Sequence, residues 1–192
     1  MSLKYFFKIL LFSGFFSIFN SCQLAQEKST SFILIRHAEK IISSSDNPDL
    51  SSKGRQRAAK LVDLFEAVSI DAIYATPYLR TINTAEPLAK AKHLEVLNYQ
   101  ANDLQDFAAK LLENHQGETI VVIGHSNTTP QLTNALAGTK YSDLEETEYD
   151  WLYFVEVNTL RSAKVKKLKI RLSQNLKKIT QEYHNKNRLR EN

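Results

Sequence analysis

Two histidines and two arginines fall where short apolar runs give out, and together they could handle a phosphoryl group. Phe32-Ile33-Leu34-Ile35 leads into Arg36-His37-Ala38-Glu39. Asp71 to Tyr74 leads into Ala75-Thr76-Pro77 and then Arg80-Thr81, and Thr119 to Ile123 into Gly124-His125-Ser126-Asn127. The planar guanidinium fork matches phosphate oxygens two at a time. A neutral imidazole can attack phosphorus, and a second, partly cationic one can stabilise the transferring oxygens. Phosphoryl transfer demands chiefly positioning and charge stabilisation, which Arg36, His37, Arg80 and His125 could supply together. The remaining histidines read differently. His115 sits in a last helical turn, where the dipole favours a cation, and His93 and His184 have no partners in sequence.

Rival chemistries fit less well. Gly124-His125-Ser126-Asn127-Thr128 imitates the strand-to-helix elbow of α/β-hydrolases, with Ser126 as nucleophile. That arrangement needs a later histidine, and His184 alone follows. His37-Ala38-Glu39 mimics the H-x-E of zinc deaminases, but Cys22 is the single cysteine and no P-C-x-x-C can exist. No Walker A or G-x-G-x-x-G pattern occurs, so no nucleotide cofactor is expected. No carboxylate cluster is spaced to hold an ion, so catalysis without a metal or other cofactor is the expectation.

These residues need a scaffold, and the pattern of the chain predicts one. Ser51 is a good N-cap for a helix through Phe65, with Ala58, Leu61, Val62 and Phe65 at 3.6-residue spacing. Helices are also expected over Leu79–Ala91, with a kink at Pro87, from Asp103 to about Gly117 with Phe107, Leu111 and Leu112 facing inward, and over Thr129–Ala137. Strands are expected at residues 32–35, 71–74, 94–97 and 119–123. Such β-α alternation predicts a three-layer α/β/α sandwich with a mostly parallel central sheet. Trp151–Val157 and Lys164–Arg171 read as an antiparallel pair at its edge, guarded by lysines. In such sheets ligands bind beyond the carboxyl ends of the strands, where the four candidate residues lie.

The chain's 192 residues, 43% hydrophobic and 24% charged, suit one globular domain. The predicted division is a signal peptide over 1–21, a tether over 22–31, the domain over 32–171 and a basic tail over 172–192. Lys4 and Lys8 precede the apolar run Ile9–Phe19, which is too short to span a bilayer comfortably. Cys22 follows it in the position of a lipidated cysteine, so membrane anchoring and an extracytoplasmic, periplasmic-facing or cell-surface location are expected. The net charge of +4 divides unevenly: Lys4 and Lys8 give +2, the segment from Lys164 onward +8, and residues 22–163 therefore −6. An acidic domain argues against a nucleic-acid partner. The basic tail could lie on anionic headgroups or be a solvated terminus.

Four segments then match one family in order. Arg36-His37-Ala38-Glu39 resembles the RHG or RHA signature of the histidine phosphatase (phosphoglycerate mutase-like) superfamily. DNPDLSSKGRQRAA, residues 46–59, is similar to its Leu-Thr-x-x-Gly-x-x-Gln-Ala segment. ATPYLRTINTA, residues 75–85, resembles its Ser-x-x-x-Arg-x-x-x-Thr-Ala segment, and Gly124-His125-Ser126 its second histidine motif. The resemblance spans residues 32 to about 157. It implies a phosphomonoester hydrolase in which His37 becomes a phosphohistidine while Arg36, Arg80 and His125 hold the phosphoryl group. The implied partner is a small phosphorylated substrate or a phosphoprotein. Ala38 in place of glycine is as in the small, phosphohistidine-phosphatase-like members. Ser126 replaces the aspartate of the acid phosphatase branch. The usual proton-donating glutamate has no counterpart, leaving Glu39, Asp103 and Asp106 as candidates. Besides Ser126 hydrolysis, the competing reading is a catalytically silent lipoprotein that binds phosphorylated ligands in the same pocket.

Overall fold

Residue 30 is where the sheet starts. In the computed structural model, which describes residues 29–170, β1 runs Thr30–Arg36 with every residue buried. Thr30 and Ser31, expected in the tether, thus belong to the domain, because Ser31 registers against Thr119 and Thr30 against Val157. The remaining strands are β2 Ala72–Ala75, β3 Val96–Asn98, β4 Thr119–Gly124, β5 Trp151–Val157 and β6 Ala163–Lys169. The helices are α1 Ser52–Leu64, α2 Leu79–Lys92, α3 Leu104–Asn114 and α4 Thr128–Ala137. The signal peptide, Cys22, His184 and the basic tail lie outside the described residues.

The sheet order is β3-β2-β4-β1-β5-β6. The first four strands are mutually parallel, whereas β5 runs antiparallel to β1 and β6 antiparallel to β5. The alternation of each strand sends side chains to opposite faces, and two separate cores follow. Ile33, Ile35, Val121 and Ile123 pack under Leu61 and Leu64 of α1, Phe65 just after it, and Ala85 and Leu88 of α2. Phe32, Leu34, Ile120 and Val122 pack against Ala108 and Leu111 of α3 and Leu132 and Leu136 of α4. This is the expected three-layer sandwich with an antiparallel edge.

Local chemistry sets the element ends. Ser51 caps α1, its Oγ accepting from Gly54 N at 3.1 Å. Asp103 caps α3 by accepting from Asp106 N at 2.9 Å. Helix α2 continues through Pro87 and ends on His93, which takes the left-handed conformation at φ 57°. Helix α3 stops at Asn114 rather than reaching Gly117. That glycine, at φ 74°, turns the chain into β4.

Candidate functional site

At the carboxyl ends of β1, β2 and β4, Arg36, His37, Arg80 and His125 line one open cavity of about 380 Å³. The strand order explains the meeting. β4 lies between β1 and β2, so Arg36 registers against Gly124, the residue before His125, and Ala75 against Ile123. The imidazoles of His37 and His125 pack edge to face, 5.4 Å between centroids.

His37 is 3% exposed, and its Nδ1 lies 2.8 Å from the carbonyl of Ala38. A carbonyl can only accept, so Nδ1 carries the proton and Nε2 keeps its lone pair. Burial pushes the imidazole from 6.5 down to about 3, partly offset by the Ala38 bond and reinforced by Arg36, His125 and Arg80. His125 Nε2 lies 2.8 Å from Thr76 Oγ1, and burial followed by Arg80 and Arg36 lowers its pKa to about 4. His125 is therefore a neutral imidazole, not the partial cation expected from sequence. The two arginines beside it disfavour its charge.

Two tyrosines brace this set. The guanidinium of Arg36 sits 4.1 Å over the Tyr149 ring, which also packs edge-on to His37. That of Arg80 sits 4.5 Å over Tyr78, which packs against His125. Thr84 ties two motifs together: its Oγ1 donates to the carbonyl of Arg80 at 2.6 Å and accepts from Ala38 N at 2.9 Å. Gly54 lets α1 approach the loop after β1, since a Cβ there would stand 2.1 Å from the Glu39 carbonyl oxygen. Gly124 is similarly confined, a Cβ meeting the hydroxyls of Thr128 and Thr129 within 2.9 Å.

Arg36 is more committed than its sequence role implied. It is 1% exposed, and its Nη1 donates to the carbonyls of Glu145, Glu146 and Glu148 at 2.8, 3.1 and 2.9 Å. Nη2 donates to Glu146 Oε2 at 2.8 Å, while the buried Nε has no partner. Arg80 Nε is likewise buried and unpartnered. A phosphoryl group could thus take Arg36 by Nε and, on displacing Glu146, by Nη2.

The three carboxylates considered as proton donors are engaged elsewhere. Burial would raise Glu39, but paired bonds from Arg57 at 2.8 and 2.9 Å and the Lys53 ammonium outweigh it and hold the carboxyl at about 2. Asp103 caps α3 and Asp106 pairs with Lys110. Ser126 lines the cavity, but its side chain bonds to no imidazole among the described residues. His115 lies outside it, between Tyr74 OH at 2.9 Å and Glu118 Oε2 at 2.6 Å. Among the described residues no three His, Cys, Asp or Glu side chains are grouped to hold a metal ion. Reasoning from sequence missed Lys40, Tyr78, Tyr149 and Glu146 at this site. None of them carries a periodicity or a spacing that would have marked it.

Known proteins resemble this chain in part of its sequence and in its fold. Residues 32–104 match the family model of the histidine phosphatase superfamily, branch 1. Phosphoserine phosphatase 1 of Hydrogenobacter thermophilus is 38% identical over 71 residues, a match covering 34% of each chain, so it spans about a third of that relative's length. The solved structure of the protein histidine phosphatase SixA, complexed with tungstate, superposes with a TM-score of 0.62 at 16% identity, over 72% of this chain and 96% of that one. The alpha-ribazole phosphatase of Shigella flexneri gives 0.61 at 16%, over 72% and 96%. At such identities the structures speak for the fold alone, and the family match speaks for residues 32–104. Over residues 32–104 the chain is similar to the histidine phosphatase superfamily, and its fold is that of solved phosphatases.

Proposed function

We propose that the protein is a phosphomonoester hydrolase that works through a phosphohistidine at His37. The observation that carries the reading is the Nδ1 bond to the Ala38 carbonyl, which fixes the tautomer and leaves Nε2 with a lone pair at the cavity. Nε2 attacks phosphorus in line with the ester oxygen and forms the covalent intermediate, and water then releases phosphate. Arg80 and the free donors of Arg36 take the phosphoryl oxygens. His125 faces the same group and becomes cationic as the dianion replaces the arginines' repulsion with attraction. The relatives' names, a phosphoserine phosphatase and a protein histidine phosphatase, support small phosphorylated molecules or phosphoproteins as the substrate class.

The test is rapid quenching of enzyme mixed with phosphorus-labelled substrate. Base-stable, acid-labile label on the wild type and none on His37→Ala is the expected result. The His37→Ala chain should still bind phosphate, and full turnover by it would refute the proposal. We further propose that a lipid on Cys22 holds the domain on the extracytoplasmic side of a membrane. The Cys22→Ser chain should leave the membrane fraction with its phosphatase activity intact. Retention on the membrane would refute the anchor.

A further inference from the structure

The cavity that holds the histidines does not end at them. A second open cavity of about 360 Å³, lined by the 40–48 loop, adjoins it, and the two share Lys40, Arg80 and Glu146 as their border. If the phosphoryl group sits against His37, its ester oxygen and the rest of the substrate must cross that border. Two carboxylates line these cavities, Asp46 and Glu146, and Glu146 alone of the two belongs to both. Its side chain is 63% exposed and unpacked, held by charge: Oε2 is 2.8 Å from Arg36 Nη2 and Oε1 3.1 Å from Lys40 Nζ. A carboxylate on an arginine and a lysine occupies the place suited to phosphoryl oxygens, and it can swing away without opening the core.

Resting on the phosphatase reading above, we propose that Glu146 is the catalytic residue that gives the leaving oxygen its proton and later takes one from water. Substrate binding loads it. The groups facing it are Arg36, Lys40, Arg80 and Tyr149. Its slight burial is outweighed by Lys40 and Arg36, which keep the carboxyl below its ordinary range. An arriving phosphomonoester, whose second ionisation lies near pH 6, takes those cations and sets its own negative charge beside the carboxylate. Like charge then favours protonation of Glu146, and the monoanionic ester supplies the proton. His37 Nε2 forms the N–P bond as the P–O bond to the leaving group breaks. The bonding pair stays on that oxygen, which takes the Glu146 proton and departs as an alcohol. In the second half a water oxygen bonds to phosphorus, its proton passes to the Glu146 carboxylate, and the N–P pair returns to Nε2.

The test compares leaving groups in the Glu146→Gln chain. An alkyl phosphate expels an alkoxide and needs the proton, whereas 2,4-dinitrophenyl phosphate expels a stable phenolate and does not. Loss of a general acid should cut kcat/KM for the alkyl ester by about 10²- to 10⁴-fold, and for the dinitrophenyl ester by less than about threefold. Unaltered circular dichroism and phosphate binding by the variant would show that the pocket stands. Equal loss on both esters, or a fall in KM for both with kcat unchanged, would mark Glu146 as a counter-ion and overturn the assignment while leaving the phosphatase reading in place. A wild-type chain that hydrolyses neither ester sinks both.

Discussion

Replacing Gly54 by alanine sets two opposed effects against each other, and the structure decides the sign. Gly54 lies in the first turn of α1, where alanine normally gains up to about 1 kcal/mol of helix propensity. Here the added Cβ would stand 2.1 Å from the Glu39 carbonyl oxygen, about 0.9 Å inside the 3.0 Å that real contacts respect. The obstacle is backbone, so no rotamer change relieves it. The same oxygen accepts from Ser51 N at 2.8 Å and Ser51 Oγ at 3.1 Å, bonds that each contribute about 1 kcal/mol and must stretch as it moves. Overpacking of this kind costs about 1–3 kcal/mol, enough to outweigh the propensity gain. Glu39 is two residues from His37, and a displacement near 1 Å at a reacting group can cost about 10²-fold in rate. Gly54→Ala should therefore lower the urea midpoint and reduce kcat on an aryl phosphate together. Gly138→Ala is the control: a Cβ there meets nothing within 4 Å but sits at φ 65°, so it should cost about 1–2 kcal/mol and leave turnover alone. A Gly54→Ala protein with unchanged midpoint and unchanged kcat would refute the close-approach argument.

Three further outcomes follow from the site. Folded His37 and His125 stay neutral down to about pH 3 and 4, whereas the unfolded chain binds those protons near 6.5. Their contribution to stability is thus full above pH 6.5 and is lost as pH falls toward 4 and then 3. A His37→Asn chain should show a shallower fall in urea midpoint over that window, and identical slopes would contradict the neutral buried imidazole. Thr84→Val leaves the buried Ala38 amide without its acceptor, which should cost about 1–3 kcal/mol and lower kcat, read by urea melts and steady-state kinetics. EDTA should leave phosphatase activity unchanged, because arginines stand where Mg²⁺ stands in other phosphoryl-transfer enzymes; complete inactivation would overturn the metal-free mechanism.

Much of this molecule is written locally in its sequence. The strands around 32–35 and 119–123 show as short apolar runs because both their faces are buried, and Ser51 and Asp103 announce helix starts because capping is a local bond. Arg36, His37, Arg80 and His125 were legible for a related reason. Each sits within a few residues of a strand end, and in an open sheet strand ends point one way. Tertiary structure decided what reaches the site by less regular paths. Glu146 and Tyr149 come from the aperiodic stretch between α4 and β5, and their place over Arg36 depends on three carbonyls of that stretch folding onto a guanidinium more than a hundred residues away. Charge states were equally hidden. His125 reads in sequence as a partial cation beside phosphate, but its burial and the nearness of Arg80 and Arg36 keep it neutral. Local bonds and strand periodicity are written in neighbouring residues, whereas desolvation and loop closure depend on which distant segments come to share a volume.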